Sequence, residues 1–420
     1  MTDAPKRGLI APGMYHFVHM AADAGTRFHL RVDLDGGGML LANAAASADL
    51  SPTGVYMAEG VLQGRSDGEI IGGAIAAFKG ASPAQIAADL ARVRELMTRL
   101  TTAGPPQRLG GMSHAESRRL AAPYQATVVQ GDGESTEAVL RQLWDIGVPQ
   151  ATLLAQPDQD PAGLVRLVEC AQDIGMICGI RGIASRLGEV VIRDAAMAGL
   201  DYLVAVYASC DPSEHNLMVD ADDHDAVLRA FALCRELELC PVAQVPLTDE
   251  SVDELEDIVA CVGGAGVSAL SVFALTCPDD DEAADAAGAL PARTLPQVAT
   301  VVTEAAEEAG VLMVWEAPVR FDPKQSLPAH VQRGPRAMGD ASVRVEPDGR
   351  VYPGRGPRQC VGNILHQDWQ DIWDSPCFTR FRESVEEPAR CPACPGLEIC
   401  AAGCLKVPDH WSDDMREGDA

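Results

Sequence analysis

The stretch from residue 122 to about residue 320 alternates short apolar runs, typical of buried strands, with amphipathic runs typical of helices. The predicted strands are residues 125–129, 150–154, 176–180, 202–207, 240–245, 269–274 and 311–315. A repeated strand–helix order predicts a parallel sheet joined by right-handed crossovers. About six such units are too few for a closed eight-fold barrel. We therefore expect an α/β fold with a partial (β/α)6 barrel.

A different pattern precedes this region. Residues 27–33 alternate apolar and polar side chains, Asp35-Gly36-Gly37-Gly38 predicts a turn, and residues 39–42 predict the returning strand. Ser51 and Pro52 predict the start of a helix, and two further helices are expected over residues 69–78 and 82–100. A hairpin followed by three helices predicts a winged-helix-like domain over residues 1–104. Residues 101–114, rich in Gly, Pro and Thr, are expected to be a linker.

The rhythm changes again after residue 335. Residues 341–345 and 350–352 flank Pro347-Asp348-Gly349, which predicts a hairpin, and a helix is expected around Trp369 and Trp373. The expected domains are thus 1–104, a barrel over 115–335, and a Cys-rich domain over 336–420.

Composition narrows the choice of partners and compartment. The formal net charge is −28, and only four lysines are present, so the chain should repel a nucleic-acid backbone. The acidity is also explained by a biased source composition. The first residues, MTDAPKRGLIAPG, lack the apolar run of a signal peptide, and no stretch reaches a membrane-spanning length. We expect a soluble, cytoplasmic protein that binds neither nucleic acid nor membrane.

Four cysteines near the C-terminus predict a metal site. Cys391 and Cys394 are separated by Pro and Ala, Cys400 follows after five residues, and Cys404 after three more. Thiolates at this density bind [4Fe–4S] clusters or zinc. Structural zinc sites usually pair two knuckles across a longer loop, so the compact run favours a cluster, with zinc and incidental cysteines as alternatives. Cys360, just after the hairpin, is either a further ligand or an unligated loop thiol.

The remaining cysteines are expected to be reduced and structural, because disulfides are rare inside cells. Small core side chains are predicted at Cys170, Cys178, Cys234, Cys240, Cys261 and Cys377.

Three C-terminal segments resemble the SPASM domain, an iron–sulfur extension of radical S-adenosylmethionine (SAM) enzymes that modify peptides. They are residues 345–353 (VEPDGRVYP), residues 361–365 (VGNIL) and the cysteine run from Cys391 to Cys404. The middle region resembles the radical SAM partial barrel through residues 198–202 and 209–216, which are similar to the fourth strand of that family and the loop after it. The first domain resembles PqqD-type peptide-binding domains.

The departures from these families carry as much information. The radical SAM signature CxxxCxxC is expected directly after the first strand, where three thiolates would hold the SAM-binding cluster; here residues 130–135 read QGDGES, and the motif occurs nowhere in the chain. The GGEP motif of the family is replaced by residues 156–161 (QPDQDP). These departures from the family imply a pseudoenzyme that does not use SAM as a cofactor.

The SPASM segment departs from its family too. Gly354 stands where that family has its first Cys, and no Cys follows Cys404. We expect one [4Fe–4S] cluster, held by Cys391, Cys394, Cys400 and either Cys404 or Cys360.

Three functions remain open at this level. The first is a non-catalytic accessory factor that binds a peptide or protein partner, such as an active radical SAM paralogue or an oxidoreductase. The second is an electron-transfer protein for an oxidoreductase. The third is an enzyme that uses the residual barrel pocket, with Arg181, Asp211, Glu214 and His215 as candidate residues at the carboxyl ends of strands.

Overall fold

A computed structural model describes residues 9–21, 24–33, 35–42, 46–78, 80, 82–101, 122–267, 269–337, 342–379 and 406–412. The chain divides into two compact units. The first comprises Met1–Ala122 with Ile146–Pro149, and the second comprises Pro123–Asp145 with Gln150–Ala420. The predicted linker lies largely outside the described residues.

The first unit contains a four-stranded antiparallel sheet in the order β1-β2-β3-β4, followed by three helices. The strands are β1 (Gly13–Ala21), β2 (Ala24–Val32), β3 (Gly38–Ala42) and β4 (Ala46–Leu50), and the helices are α1 (Pro52–Leu62), α2 (Asp67–Ala77) and α3 (Pro83–Thr101). The predicted hairpin and all three helices are present. The structure adds β1 and β4 to the single hairpin that the sequence predicted.

Local sequence explains where these helices begin. Ser51 caps α1 by accepting a hydrogen bond from the Gly54 backbone N–H at 3.2 Å, with Pro52 at the first position. Ser66 and Glu69 form a reciprocal capping box at α2. The apolar faces of the helices then cover the sheet, with Leu30, Met57 and Ile70 fully buried between them.

The second unit is built on one large, mostly parallel sheet. Its strands are β5 (Gln125–Val129), β6 (Gln150–Leu154), β7 (Ile177–Gly182), β8 (Tyr202–Val206), β9 (Cys240–Leu247), β10 (Ala269–Cys277), β11 (Leu290–Pro291), β12 (Leu312–Trp315), β13 (Val319–Arg320), β14 (Ser342–Val345), β15 (Arg350–Pro353) and β16 (Gly362–Asn363). Strands β5 to β10 are parallel neighbours in chain order, which confirms the predicted repetition.

Helices connect these strands and pack on one another. They are α4 (Gly133–Asp145), α5 (Ala162–Ile174), α6 (Ala184–Ala198), α7 (Pro212–Val219), α8 (His224–Glu236), α9 (Asp249–Asp253), α10 (Leu255–Gly264), α11 (Glu282–Asp285), α12 (Leu295–Glu308), α13 (Leu327–Arg333) and α14 (Trp369–Trp373). Neighbouring pairs along the sheet are in contact, α4 with α5, α5 with α6, α6 with α8, and α10 with α12.

The two ends of the sheet do not meet. Strand β10 carries β11, β12 and β13 at one end, while β14 pairs in parallel with β5 at the other. Strand β15 then returns antiparallel to β14, which confirms the predicted hairpin, and β16 follows it. Residues of the C-terminal segment thus extend the sheet instead of forming a layer apart from it, and the barrel stays open.

Among the described residues, no helix is both long and apolar enough to cross a membrane.

Candidate functional site

A cavity of about 920 Å³ lies at the carboxyl ends of the central parallel strands. Its lining includes Leu154 at the end of β6, Gly182 at the end of β7 and Val206 at the end of β8. Ligands of open parallel sheets usually bind at this edge. The volume lies in the range of small-molecule pockets.

Five arginines from separate segments line this cavity, which we call the arginine cavity: Arg181, Arg186, Arg333, Arg344 and Arg358. No Asp or Glu is among its lining residues in the described part of the chain. In a chain of net charge −28, this concentration of guanidinium groups is a local reversal of the overall charge. Arginine at such a position suits planar oxyanions, which it binds with two parallel hydrogen bonds.

Arg181 lines the cavity and is almost fully buried. Its Nε donates to Gln244 Oε1 at 2.7 Å, and its Nη1 donates to the Arg333 carbonyl at 3.0 Å. Gly334 makes room for this group, because a Cβ on residue 334 would clash with the Arg181 guanidinium. The backbone φ of Gly334, +59°, independently favours glycine.

Arg344 and Arg358, which also line the cavity, share one carboxylate. Arg344 Nε donates to Glu346 Oε1 at 3.1 Å, and Arg358 Nη2 donates to the same oxygen at 3.2 Å. Arg344 is only 8% exposed, and its Nη1 is buried without a hydrogen-bond partner among the described residues. A buried donor without a partner is costly, so this group is suited to an incoming acceptor.

Polar side chains continue below the cavity along one face of the sheet. Gln244, which holds Arg181, faces Ser271, whose hydroxyl donates to Glu316 Oε1 at 2.8 Å. On the neighbouring strands, the Tyr202 hydroxyl lies 2.7 Å from Thr152 Oγ1 and accepts from Gln150 Nε2 at 3.0 Å. Burial raises the pKa of Tyr202, so it stays neutral.

The link from β5 to α4 is short and closely packed. Only Gln130, Gly131 and Asp132 separate Val129 from Gly133. The Gln130 side chain donates to the Asp160 carbonyl at 2.9 Å and accepts from the Gln156 N–H at 3.3 Å. Gly131 lies under the hairpin turn, since a Cβ there would come 2.4 Å from the Pro347 Cβ.

The structure does not bring the four candidate catalytic residues together. Arg181 lines the cavity, but His215 is fully buried, with Nδ1 accepting from the Ala208 N–H at 3.1 Å and Nε2 lying 3.3 Å from Asp223 Oδ2. Asp211 caps α7 by accepting from Ser213 and Glu214 backbone N–H groups. The Glu214 carboxylate accepts from the Ser209 hydroxyl at 3.1 Å. These roles are structural, so a catalytic cluster of these residues is not formed.

The proposed metal ligands fall in two places. Cys391, Cys394, Cys400 and Cys404 lie outside the described residues. Cys360 is described: it is half-buried after β15, and its Sγ donates to the Gly362 carbonyl at 3.4 Å. No group of three or more potential metal ligands occurs within the described ranges. The donor set itself, four thiols in fourteen residues with a fifth following the hairpin, suits an iron–sulfur cluster.

Of the six other cysteines that were predicted to lie in the core, three are buried and three are not. Cys170, Cys178 and Cys234 are buried as predicted, and burial raises the pKa of Cys234 to about 12, so it is an inert thiol. The prediction is wrong for Cys261, which is exposed because it lies outside the buried face of α10 formed by Leu255, Ile258, Val259 and Val262.

Cys240 and Cys377 are half-buried, so the core prediction is wrong for them too. Cys240 is the first residue of β9, at the edge of the strand core, and the Cys377 thiol points to the Gln359 side chain at 3.4 Å.

Comparison with known proteins found one matching domain family and one similar fold. Residues 337–395 match the family model of SPASM, an iron–sulfur cluster-binding domain, and this segment contains Cys360, Cys391 and Cys394. A search of curated protein sequences found no match.

Solved structures of Streptococcus suis SuiB are similar to the whole chain. SuiB bound to S-adenosylmethionine is 14% identical, with 92% of this chain and 98% of that chain covered and a TM-score of 0.55. SuiB bound to the precursor peptide SuiA is 13% identical, with 95% and 99% covered and a TM-score of 0.54. The chain therefore has the fold of SuiB, and residues 337–395 in its C-terminal part match the SPASM family model.

Proposed function

We propose that this protein is a non-catalytic member of the radical SAM/SPASM type, which binds a peptide or protein partner as an accessory factor in peptide modification. The observation that carries the proposal is the three-residue link between β5 and α4.

This link leaves no place for the ligands of a SAM-binding cluster. A CxxxCxxC loop spans eight residues, whereas Gln130, Gly131 and Asp132 supply three residues and no thiol. The Gln130 side chain ties the end of β5 to the loop after β6, and Pro347 packs on Gly131. Both contacts occupy the space above β5 with protein groups. Without an iron that has an open coordination position, SAM cannot be cleaved reductively.

The electrostatics of the arginine cavity support the same conclusion. SAM carries a sulfonium and an ammonium group against one carboxylate, so its net charge is positive. A cavity lined by five arginines and by no carboxylate in the described part of the chain disfavours such a ligand.

Peptide binding is supported by the overall fold. The SuiB structure that covers 95% of this chain was solved with its precursor peptide. The first unit, which resembles a PqqD-type domain, presents an open four-stranded sheet whose outer strands are β1 and β4. Open edges of this kind bind extended peptides through main-chain hydrogen bonds.

The SPASM segment completes the proposal with one [4Fe–4S] cluster. Cys391, Cys394, Cys400 and either Cys404 or Cys360 would hold it, and its bonds to the chain would contribute to the folding of that segment. The donor chemistry fits, and the match over residues 337–395 supports an iron–sulfur cofactor.

The test is peptide selection followed by mass analysis. A random-peptide phage library is selected on the full-length, anaerobically purified chain, and selected peptides are titrated as synthetic peptides by calorimetry. We expect saturable binding at one site, and peptides of unchanged mass after incubation with dithionite and SAM. A SAM-dependent change in peptide mass would contradict a non-catalytic role, and a library that yields no saturable binder would contradict peptide binding.

A further inference from the structure

We propose that the arginine cavity is a binding site for a small organic polyanion, a molecule that carries two or more phosphate or carboxylate groups. The proposal goes beyond partner binding and does not depend on whether a peptide binds elsewhere on the chain.

The arginine cavity concentrates positive charge. The five guanidinium groups come from β7, α6, α13, β14 and the segment after β15, so the fold brings together residues far apart in sequence. Like charges in a shared cavity repel one another. Carboxylates that could offset this repulsion are abundant in the chain as a whole. Among the lining residues described, none is acidic. Glu346 already balances one of the five charges through Arg344 and Arg358, and a monoanion would balance only one more, which favours a ligand with several negative charges.

Arg344 has a buried hydrogen-bond donor that an anion in the cavity could reach. This side chain is more than nine-tenths buried and lines the cavity, yet its Nη1 has no hydrogen-bond partner in the part of the chain that is described. Glu346 is already shared between Arg344 and Arg358 through a single oxygen. An oxyanion in the cavity would supply the acceptor that this donor lacks.

Three of the guanidinium groups are fixed in position by contacts with the rest of the chain. Arg181 is held by Gln244 and by the Arg333 carbonyl, and Arg186 Nη1 donates to Gln332 Oε1 at 3.2 Å. Arg358 lies over the Tyr352 ring, 5.1 Å from its centroid. Donors that are already oriented lose little entropy on binding.

The size and the apolar part of the lining limit the ligand to a small molecule. The volume of about 920 Å³ matches small-molecule pockets. Leu154, Ile183, Leu187 and Val206 provide an apolar wall beside the arginines. The ligand thus combines an uncharged body with at least two anionic groups.

The experiment is calorimetric titration of the full-length chain, without SAM, with two probes, inorganic pyrophosphate and citrate. We expect at least one probe to bind with one-to-one stoichiometry and more weakly as salt rises. Pyrophosphate alone would identify a phosphate ligand, and citrate alone a polycarboxylate.

Three variants locate the binding. Arg344→Met removes the buried donor, and Arg186→Gln removes an exposed guanidinium whose loss should leave the fold intact. Each should weaken binding by about tenfold or more. The control is Arg141→Gln, at a side chain 56% exposed on α4 and outside the cavity, which should bind like the unaltered chain.

Two results would overturn the proposal. The first is that neither probe binds, or that a probe binds and its affinity is the same in Arg186→Gln and Arg344→Met as in the unaltered chain. The other is binding of a polyglutamate peptide in the absence of binding by either small probe, which would make the cavity a docking site for acidic protein segments.

Discussion

The fit of Gly179 against Tyr202 gives the sharpest test of the sheet register. A Cβ on residue 179 would lie 2.1 Å from Tyr202 Cε2 and 2.2 Å from Cζ, where ordinary contacts are 3.4 Å or longer. The ring is buried, so Gly179→Ala must displace it by more than an ångström. The displacement also disturbs the hydrogen bonds of the Tyr202 hydroxyl to Thr152 at 2.7 Å and to Gln150 at 3.0 Å.

The expected cost combines two terms. Overpacking of a filled interior costs about 1–3 kcal/mol. Each lost hydrogen bond adds about 1 kcal/mol. We therefore expect Gly179→Ala to lower the free energy of unfolding by about 2–5 kcal/mol. The measurement is urea denaturation followed by circular dichroism, with a lower midpoint at unchanged slope.

Two controls separate this effect from a general intolerance of alanine. Gly264→Ala places a Cβ at the end of α10 with nothing within 4 Å, so it should change stability by less than about 0.5 kcal/mol. In a Tyr202→Leu background, Gly179→Ala should cost less, because the ring is gone. Equal effects of the two glycine replacements, or no coupling to Tyr202, would refute the reasoning.

Three further predictions concern the cluster, the buried carboxylate and the first unit. If the chain holds one [4Fe–4S] cluster, it contains about four irons, and Cys394→Ser should lose these irons and destabilise residues 385–405. An iron content of about eight per chain, or stoichiometric zinc, would contradict this prediction. Burial alone would raise the pKa of Asp223, but hydrogen bonds from His215 and Ser185 lower it overall. The Asp223 carboxylate therefore stabilises the fold fully above its unfolded-state pKa of about 3.9, and this stabilisation is lost as the pH falls through its lower pKa in the folded state. Asp223→Asn should accordingly destabilise the chain at neutral pH, with the melting-temperature gap shrinking below pH 4; a gap independent of pH would contradict this. Lastly, a fragment ending near Leu100 should fold alone, as judged by circular dichroism, whereas an unfolded fragment would place the domain boundary elsewhere.

Much of the fold can be predicted from the sequence because the strands of the second unit are short, mostly apolar runs. The predicted and observed bounds of β5 and β6 coincide, since each strand is buried on both faces and flanked by turn residues. The sequence of β1, GMYHFVHMA, contains aromatic and β-branched residues that are typical of strands, so this strand could have been predicted, whereas β4 could not. The sequence of β4, ASADL, has little β-propensity, and only pairing with β3 makes it a strand.

The candidate site was less predictable. Arg181 is predicted because it lies at the end of a strand, but Arg333, Arg344 and Arg358 are far from it in sequence. Helix α13 supplies Arg333, whereas the hairpin at the edge of β5 supplies Arg344, with Arg358 just after it. No local pattern marks such a convergence. The scarcity of lysine beside abundant arginine in this chain would not have located the cavity either, because position in the fold decides which guanidinium groups meet.

The measurement that tests the central claim most directly is the yield of 5′-deoxyadenosine from SAM. The anaerobically purified chain, with its iron content measured, is incubated with excess dithionite and SAM, and the product is quantified by mass spectrometry. We predict a yield no greater than that of a control without protein, because the link from Gln130 to Asp132 has no thiol ligand. Multiple turnovers that disappear in Cys391→Ser or Cys404→Ser would contradict the account, since they would show that the C-terminal cluster itself has an open iron and cleaves SAM.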